Sequence, residues 1–297
     1  MRALVISGGG SKGAFGGGVA EYLIVNRKIN YDIFSGSSTG ALITPLLAAG
    51  AVDKAREVYT NVQQNDIFSS APFFVKKKNG VIKTKINHLG IMKMFLKGKK
   101  TFGDSYALRD LVRRTFTEED YTKVLDSGKK VVIAVSNITN NTVEHKYLRD
   151  HSYEDFVEWI WISANFTPFM SLVVKNGKEY ADGGFGNFIP IREAIDIGAT
   201  QIDAVVLTPR RKIKRKARSR NAFDLLMNTL DFMLSQIAQD EKYIGLLESI
   251  NHNLKVRYFH TPRVLTENSL HFDPEEMGAW WEEGIEYARS KCERLGS

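Results

Sequence analysis

Cysteine is almost absent from this chain: of 297 residues only Cys292 carries a thiol. A single thiol excludes an intrachain disulfide and a cysteine-based metal site, so nothing here demands an oxidising compartment. Long apolar runs are absent as well. No segment approaches the roughly 18 uninterrupted apolar residues that mark a membrane-spanning helix. The N-terminus leads straight into MRALVISGGG without a cleavable-signal pattern. These absences set the expectation of a cytoplasmic protein, peripheral to a membrane at most. Metal-ligand spacing is missing too: His88, His145, His151, His252 and His271 are scattered and read as surface or structural residues. Neither a metal nor a cofactor is expected.

What is present is an ordinary globular composition, 43% hydrophobic and 25% charged, long enough for one large α/β domain or two smaller ones. The net charge of +7 favours contact with something anionic. Much of it sits in clusters, Lys76–Lys78, Lys97–Lys100 and above all Arg210–Arg220, which holds eight basic residues and no acid. Such a run repels itself and reads as an exposed loop, either plainly solvated or attracted to an anionic lipid surface. No aromatic residues are interleaved with it, so nucleic acid is not an expected partner.

Along the chain, strand-like and helix-like patterns alternate. Ala3–Ser7, Asp32–Ser35, Lys129–Val135, Thr142–Leu148, Ile202–Leu207 and Lys255–His260 read as strands, and Leu172–Tyr180 reads as a hairpin around Asn176-Gly177. Helical patterns cover Ala14–Val25, Ala41–Ala49, Val52–Val62, Tyr106–Phe116, Tyr153–Ser163, Ile191–Ile197 and Ala222–Ile250. A final helix opens at Asp273-Pro274-Glu275-Glu276, with a side-chain cap, a first-turn proline and early acids. Trp159, Trp161, Trp280 and Trp281 fall in these helices and read as packing residues. The alternation predicts one α/β domain with a mainly parallel sheet.

Two glycine motifs carry the chemistry. The first, Gly8-Gly9-Gly10-Ser11-Lys12-Gly13, matches the three-glycine dinucleotide pattern but not the nucleotide P-loop. The second, Gly36-Ser37-Ser38-Thr39-Gly40, has the form G-x-S-x-G between a short strand and a helix, the context of a nucleophile elbow. A dinucleotide site would instead place an acid near the end of that strand, and the only acid nearby, Asp32, stands at its start. With Ser38 as a nucleophile, the first glycine turn acquires a role. Its backbone N–H groups open a helix, where they can meet the oxyanion that forms during acyl transfer. A serine hydroxyl also needs a base. Asp182, at the end of a strand and followed by Gly183 and Gly184, is the candidate.

GGGSKG, then GSSTG, then DGG, in this order, resembles the signature of patatin-like phospholipases, serine acyl hydrolases with a Ser-Asp dyad and no histidine. Ser163-Ala164-Asn165-Phe166-Thr167-Pro168-Phe169 resembles the family's segment between nucleophile and aspartate. The resemblance covers about residues 3–208 and implies a three-layer α/β/α fold with a mainly parallel central sheet. It also implies Ser38 as nucleophile, Asp182 as base, an oxyanion hole in and around Gly9, Gly10, Ser11 and Lys12, and a lipid ester, chiefly phospholipid, as substrate. Residues 1–297 are then expected to form a single hydrolase domain, with 209–220 a basic loop and 221–297 a mostly helical C-terminal part. Lys12 stands where many members carry arginine, and Pro45 should bend or shorten the helix after Ser38. Two alternatives stay open: a Ser38-Asp182-His260 triad, and a basic lipid- or protein-binding module that keeps the fold without hydrolysis.

Overall fold

The computed structural model describes residues 1–78, 81–210, 219, 221–251 and 253–294. Apart from Arg210 and Ser219, the basic run 210–220 lies outside the described residues.

The chain opens with β1 (Arg2–Ile6), α1 (Gly13–Glu21), β2 (Ile33–Ser37), α2 (Thr39–Ala48), α3 (Val52–Asn61) and α4 (Gln64–Ile67). There follow β3 (Phe73–Lys78), β4 (Val81–Ile86), α5 (His88–Leu96), α6 (Tyr106–Thr115), α7 (Glu118–Ser127), β5 (Lys130–Asn137), β6 (Thr142–Tyr147) and α8 (Tyr153–Ser163). The last third holds β7 (Val173–Lys175), β8 (Lys178–Ala181), α9 (Ile191–Asp196), β9 (Gln201–Pro209), α10 (Ala222–Asn251), β10 (Lys255–Thr261) and α11 (Pro274–Arg294).

Strands β10, β9, β1, β2 and β5 run parallel in that order, and β5 then pairs antiparallel with both β6 and β8. The apolar strands explain this arrangement. In β1, Leu4 and Ile6 join one buried cluster and Ala3 and Val5 another, so the strand needs cover on both faces. Helices α1, α2, α3, α8 and α11 cover the first face, while α9 and α10 cover the second, giving the expected three layers. All four tryptophans and Cys292 are buried. The Asn176-Gly177 turn forms with positive φ at both residues, 52° and 73°. Helix α2 continues through Pro45 and stops at Ala48.

The sequence patterns assign nothing between Val62 and Tyr106, and the structure places α4, the β3–β4 hairpin and α5 there. The two hairpin strands pair only with each other, apart from the main sheet. The hairpin stands outside the main sheet and α4 and α5 are only 4 and 9 residues long, so neither a sheet-strand alternation nor a long helical period marks this stretch.

Candidate active site

Three strand ends on one side of the sheet deliver the parts of the site, at the carboxyl edge where parallel sheets bind ligands. Beyond β2 the chain turns at Ser38 into α2, and Ser38 adopts φ 54° and ψ −121°, a conformation rare outside glycine. The backbone crossing around it requires glycine on both sides. A Cβ on Gly40 would lie 2.0 Å from the Ile6 carbonyl oxygen, and one on Gly36 would lie 2.4 Å from that of Gly40. The turn is tied from beneath by α8: the Ser38 N–H donates to Ser163 Oγ at 3.1 Å, and that hydroxyl donates to the Ala134 carbonyl of β5 at 2.7 Å.

Asp182 follows β8. Ser38 Oγ donates to Asp182 Oδ2 at 2.6 Å, and the Gly184 N–H donates to Oδ1 at 2.8 Å. The pair is shielded, Ser38 being 9% and Asp182 2% exposed. Burial pushes the Asp182 carboxyl up to about 7, against the opposing pull of the hydrogen bonds from Ser38 and Gly184. A base poised near neutrality suits proton transfer at ordinary pH. Its backbone is held on both sides: the Asp182 N–H donates to the Asn165 carbonyl at 2.9 Å, and Ser136 Oγ donates to the Asp182 carbonyl at 2.8 Å. Gly183 packs over the Ala134 carbonyl, where a Cβ would come within 2.1 Å.

The glycine turn leaves β1 and enters α1. Gly10 sits at φ 59°, and Gly9, Gly10 and Lys12 line the same cavity as Ser38 and Asp182. Among the described residues, the N–H groups of Gly9 and Gly10 have no acceptor. Ser11 differs. Its N–H donates to the Ser269 carbonyl at 2.9 Å, and it does not line the cavity. Burial lowers the Lys12 ammonium pKa, with Asp231 of α10 acting in the opposite direction. The Gly8 N–H donates to the Phe188 carbonyl at 2.9 Å, while Glu241 of α10 accepts from the Ile189 N–H at 2.6 Å.

The cavity has a volume of about 1750 Å³. Away from Ser38 its wall is apolar, formed by Leu42, Leu46, Tyr59, Leu108 and Ile160 of α2, α3, α6 and α8. The opposite wall comes from α10 and from residues 264–272, which precede α11. His260 lines the cavity too, but its Nδ1 faces the Thr208 carbonyl at 3.2 Å. Burial lowers its pKa to about 4, helped by Lys242, Lys291 and Arg210, so the ring is neutral. Asp182 is bonded to Ser38 and Gly184, with no bond to His260. Among the described residues, no group of three His, Cys, Asp or Glu side chains is placed to hold a metal.

The supports Ser163 and Ser269 escaped the motif reading as functional residues. Ser163 opens the SANFTPF segment, which gave a signal for its place but not for its role. Ser269 carries no local signal, because its contact depends on a chain crossing 258 positions away from Ser11.

No curated protein matches the chain in sequence. In structure it is similar to VipD from Legionella pneumophila, with TM-score 0.51 and 14% identity over 97% of this chain and 66% of that one. It is also similar to the type III effector protein ExoU, with TM-score 0.43 and 11% identity over 99% of this chain and 52% of that one. The chain thus spans less than two thirds of VipD and about half of ExoU. The family model described as patatin-like phospholipase matches residues 4–195, more than half of the chain and a span that contains Gly9, Ser38, Ser163 and Asp182. By that match, the chain belongs to the patatin-like phospholipase family.

Proposed function

We propose that this protein is a lipid acyl hydrolase that cleaves carboxylic esters of phospholipids through a Ser38–Asp182 dyad and an acyl-enzyme. The observation that carries the reading is the 2.6 Å hydrogen bond from Ser38 Oγ to Asp182, set at the polar end of an apolar cavity. In the first half-reaction Asp182 takes the Oγ proton as Ser38 attacks the ester carbonyl. The carbonyl electrons move onto oxygen, and the N–H groups of Gly9 and Gly10, at the positive end of α1, meet that charge. Collapse of the adduct expels the alcohol, which takes its proton from Asp182. Water then attacks the acyl-enzyme as Asp182 accepts its proton, and collapse of this second adduct releases the fatty acid while Asp182 returns the proton to the leaving Ser38 Oγ. The apolar wall of α2, α3, α6 and α8 takes the acyl chain. The reading treats residues 1–297 as one hydrolase unit, with peripheral lipid contact through the basic run 210–220.

A fluorophosphonate probe tests the nucleophile: a single adduct at Ser38, lost in Ser38→Ala, is expected, and an adduct elsewhere overturns the assignment. His260→Ala separates dyad from triad, because the dyad leaves hydrolysis largely unchanged while the triad collapses. A panel of phospholipids, monoacylglycerols and galactolipids assigns the head group.

A further inference from the structure

We propose that α5 docks the protein onto an anionic phospholipid surface. Helix α5 turns Met94 inward at 5% exposure and leaves Leu89, Met92, Phe95 and Leu96 exposed by 68%, 52%, 50% and 79%. At about 100° per residue these four side chains fall within an arc of roughly 120° on one side of the helix. An apolar face of this kind on so short a helix marks an interaction surface. Lys93 and Lys97 border one edge of it, both exposed and, among the described residues, without a carboxylate partner.

Charge identifies the occupant. From Ile67 to Gly103 the sequence contains nine lysines and no aspartate or glutamate. Apolar side chains with lysines along one edge match the acyl boundary and anionic head groups of a phospholipid leaflet. The face is also joined to the cavity. Phe95 packs on Phe102 with ring centroids 6.1 Å apart, and Phe102 packs on Phe223 at 6.4 Å. Phe223 and Phe73, 6.3 Å apart, both line the cavity. A leaflet held by α5 therefore lies against the cavity edge formed by Phe73 and Phe223. The choice of lipid over protein rests on the hydrolase reading, whereas the docking itself is measured without catalysis.

The test is flotation of the full chain with phosphatidylcholine vesicles, with and without phosphatidylserine, in a Ser38→Ala background that leaves the lipid intact. Lys93→Gln with Lys97→Gln should weaken partitioning onto phosphatidylserine vesicles about 30-fold and lose its effect at high salt. Joint replacement of Leu89, Met92, Phe95 and Leu96 by serine should weaken partitioning onto both vesicle types by about 100-fold or more. The unfolding midpoint verifies the fold of each variant. Should the fourfold variant fail to fold, Leu89→Ser with Leu96→Ser, the two most exposed positions, takes its place. Wild-type partitioning in the apolar variant overturns the proposal. So does a wild-type dimer, seen by light scattering, that the serine variant converts to monomer without any vesicle binding, because the face then belongs to a second copy.

Discussion

At the residue scale, burial and hydrogen bonding pull the Asp182 carboxyl in opposite directions, and burial prevails. Under the proposed mechanism its pKa near 7 should make ester hydrolysis depend on pH: kcat/KM for a short soluble ester should rise with pH and level off above about 7. Asp182→Asn should lose nearly all activity at every pH, and an unshifted acidic limb in that variant removes Asp182 from the profile. The same shift acts on stability. The folded value of about 7 stands above the 3.8 of an unperturbed aspartate, so the carboxyl's stabilising contribution is full below about pH 4 and is lost as pH rises through 7. Asp182→Asn should therefore be more stable than wild type at pH 8, by up to about 4 kcal/mol, with the gap closing towards pH 4. Urea midpoints across that range measure it. Gly10 makes a second residue-scale prediction. At φ 59°, and with a Cβ landing 2.1 Å from the Ser269 carbonyl oxygen, Gly10→Val must displace the turn. Under the proposed mechanism, loss of one donor to the oxyanion should lower the acylation rate on the order of 100-fold, read from burst kinetics. Saturable NAD binding abolished by the same substitution would instead favour the dinucleotide reading.

At the scale of elements, the elbow between β2 and α2 is held by α8. Ser163 passes the Ser38 N–H on to the Ala134 carbonyl through one hydroxyl. Removing that hydroxyl leaves a buried N–H and a buried carbonyl without it, at a cost of about 1–3 kcal/mol. Ser163→Ala should lower the urea midpoint accordingly and reduce kcat about 10-fold with KM little changed, because the strained turn at Ser38, the proposed nucleophile, relaxes while the apolar cavity wall stays in place. A fall in stability with unchanged kcat would make Ser163 a packing residue only. The final helix repeats this logic in a simpler form. Asp273 Oδ1 accepts from the Glu276 N–H at 3.0 Å, the cap that the Asp-Pro-Glu-Glu opening predicts for α11.

At the scale of the whole molecule, the two ends of the parallel sheet do different work. The carboxyl edge carries the cavity, while the other end is closed by an ionic network. Buried Asp203 of β9 accepts from Arg2 of β1 at 3.1 Å, from Tyr31 Oη at 2.7 Å, and from Arg257 of β10 at 2.6 and 2.9 Å. Asp203→Asn leaves two guanidinium groups facing a neutral amide, and stability should fall by about 3 kcal/mol. Hydrolysis in conditions where the variant is folded should persist, since the network sits at the opposite end of the strands from Ser38. A variant that is stable but inactive contradicts that separation.

The strands of the main sheet, most helices, the tight turn at Ser38 and the glycine turn after β1 were legible in the sequence because each is written locally. A turn that forces positive φ needs glycine beside it, a strand buried on both faces needs an unbroken apolar run, and a helix start needs its cap. Asp182 was legible by its place after a strand and before two glycines, but its distance from Ser38 was not. The two residues are 144 positions apart, and only the antiparallel pairing of β8 with β5 brings the carboxylate to 2.6 Å from the hydroxyl. The cavity, the use of the Ser11 N–H by Ser269 and the outward face of α5 belong to the same class. Each depends on which segments cross one another. A local pattern records which backbone shapes and which burial a segment tolerates, and carries no information about its remote neighbour; that was decided by the packing of the layers.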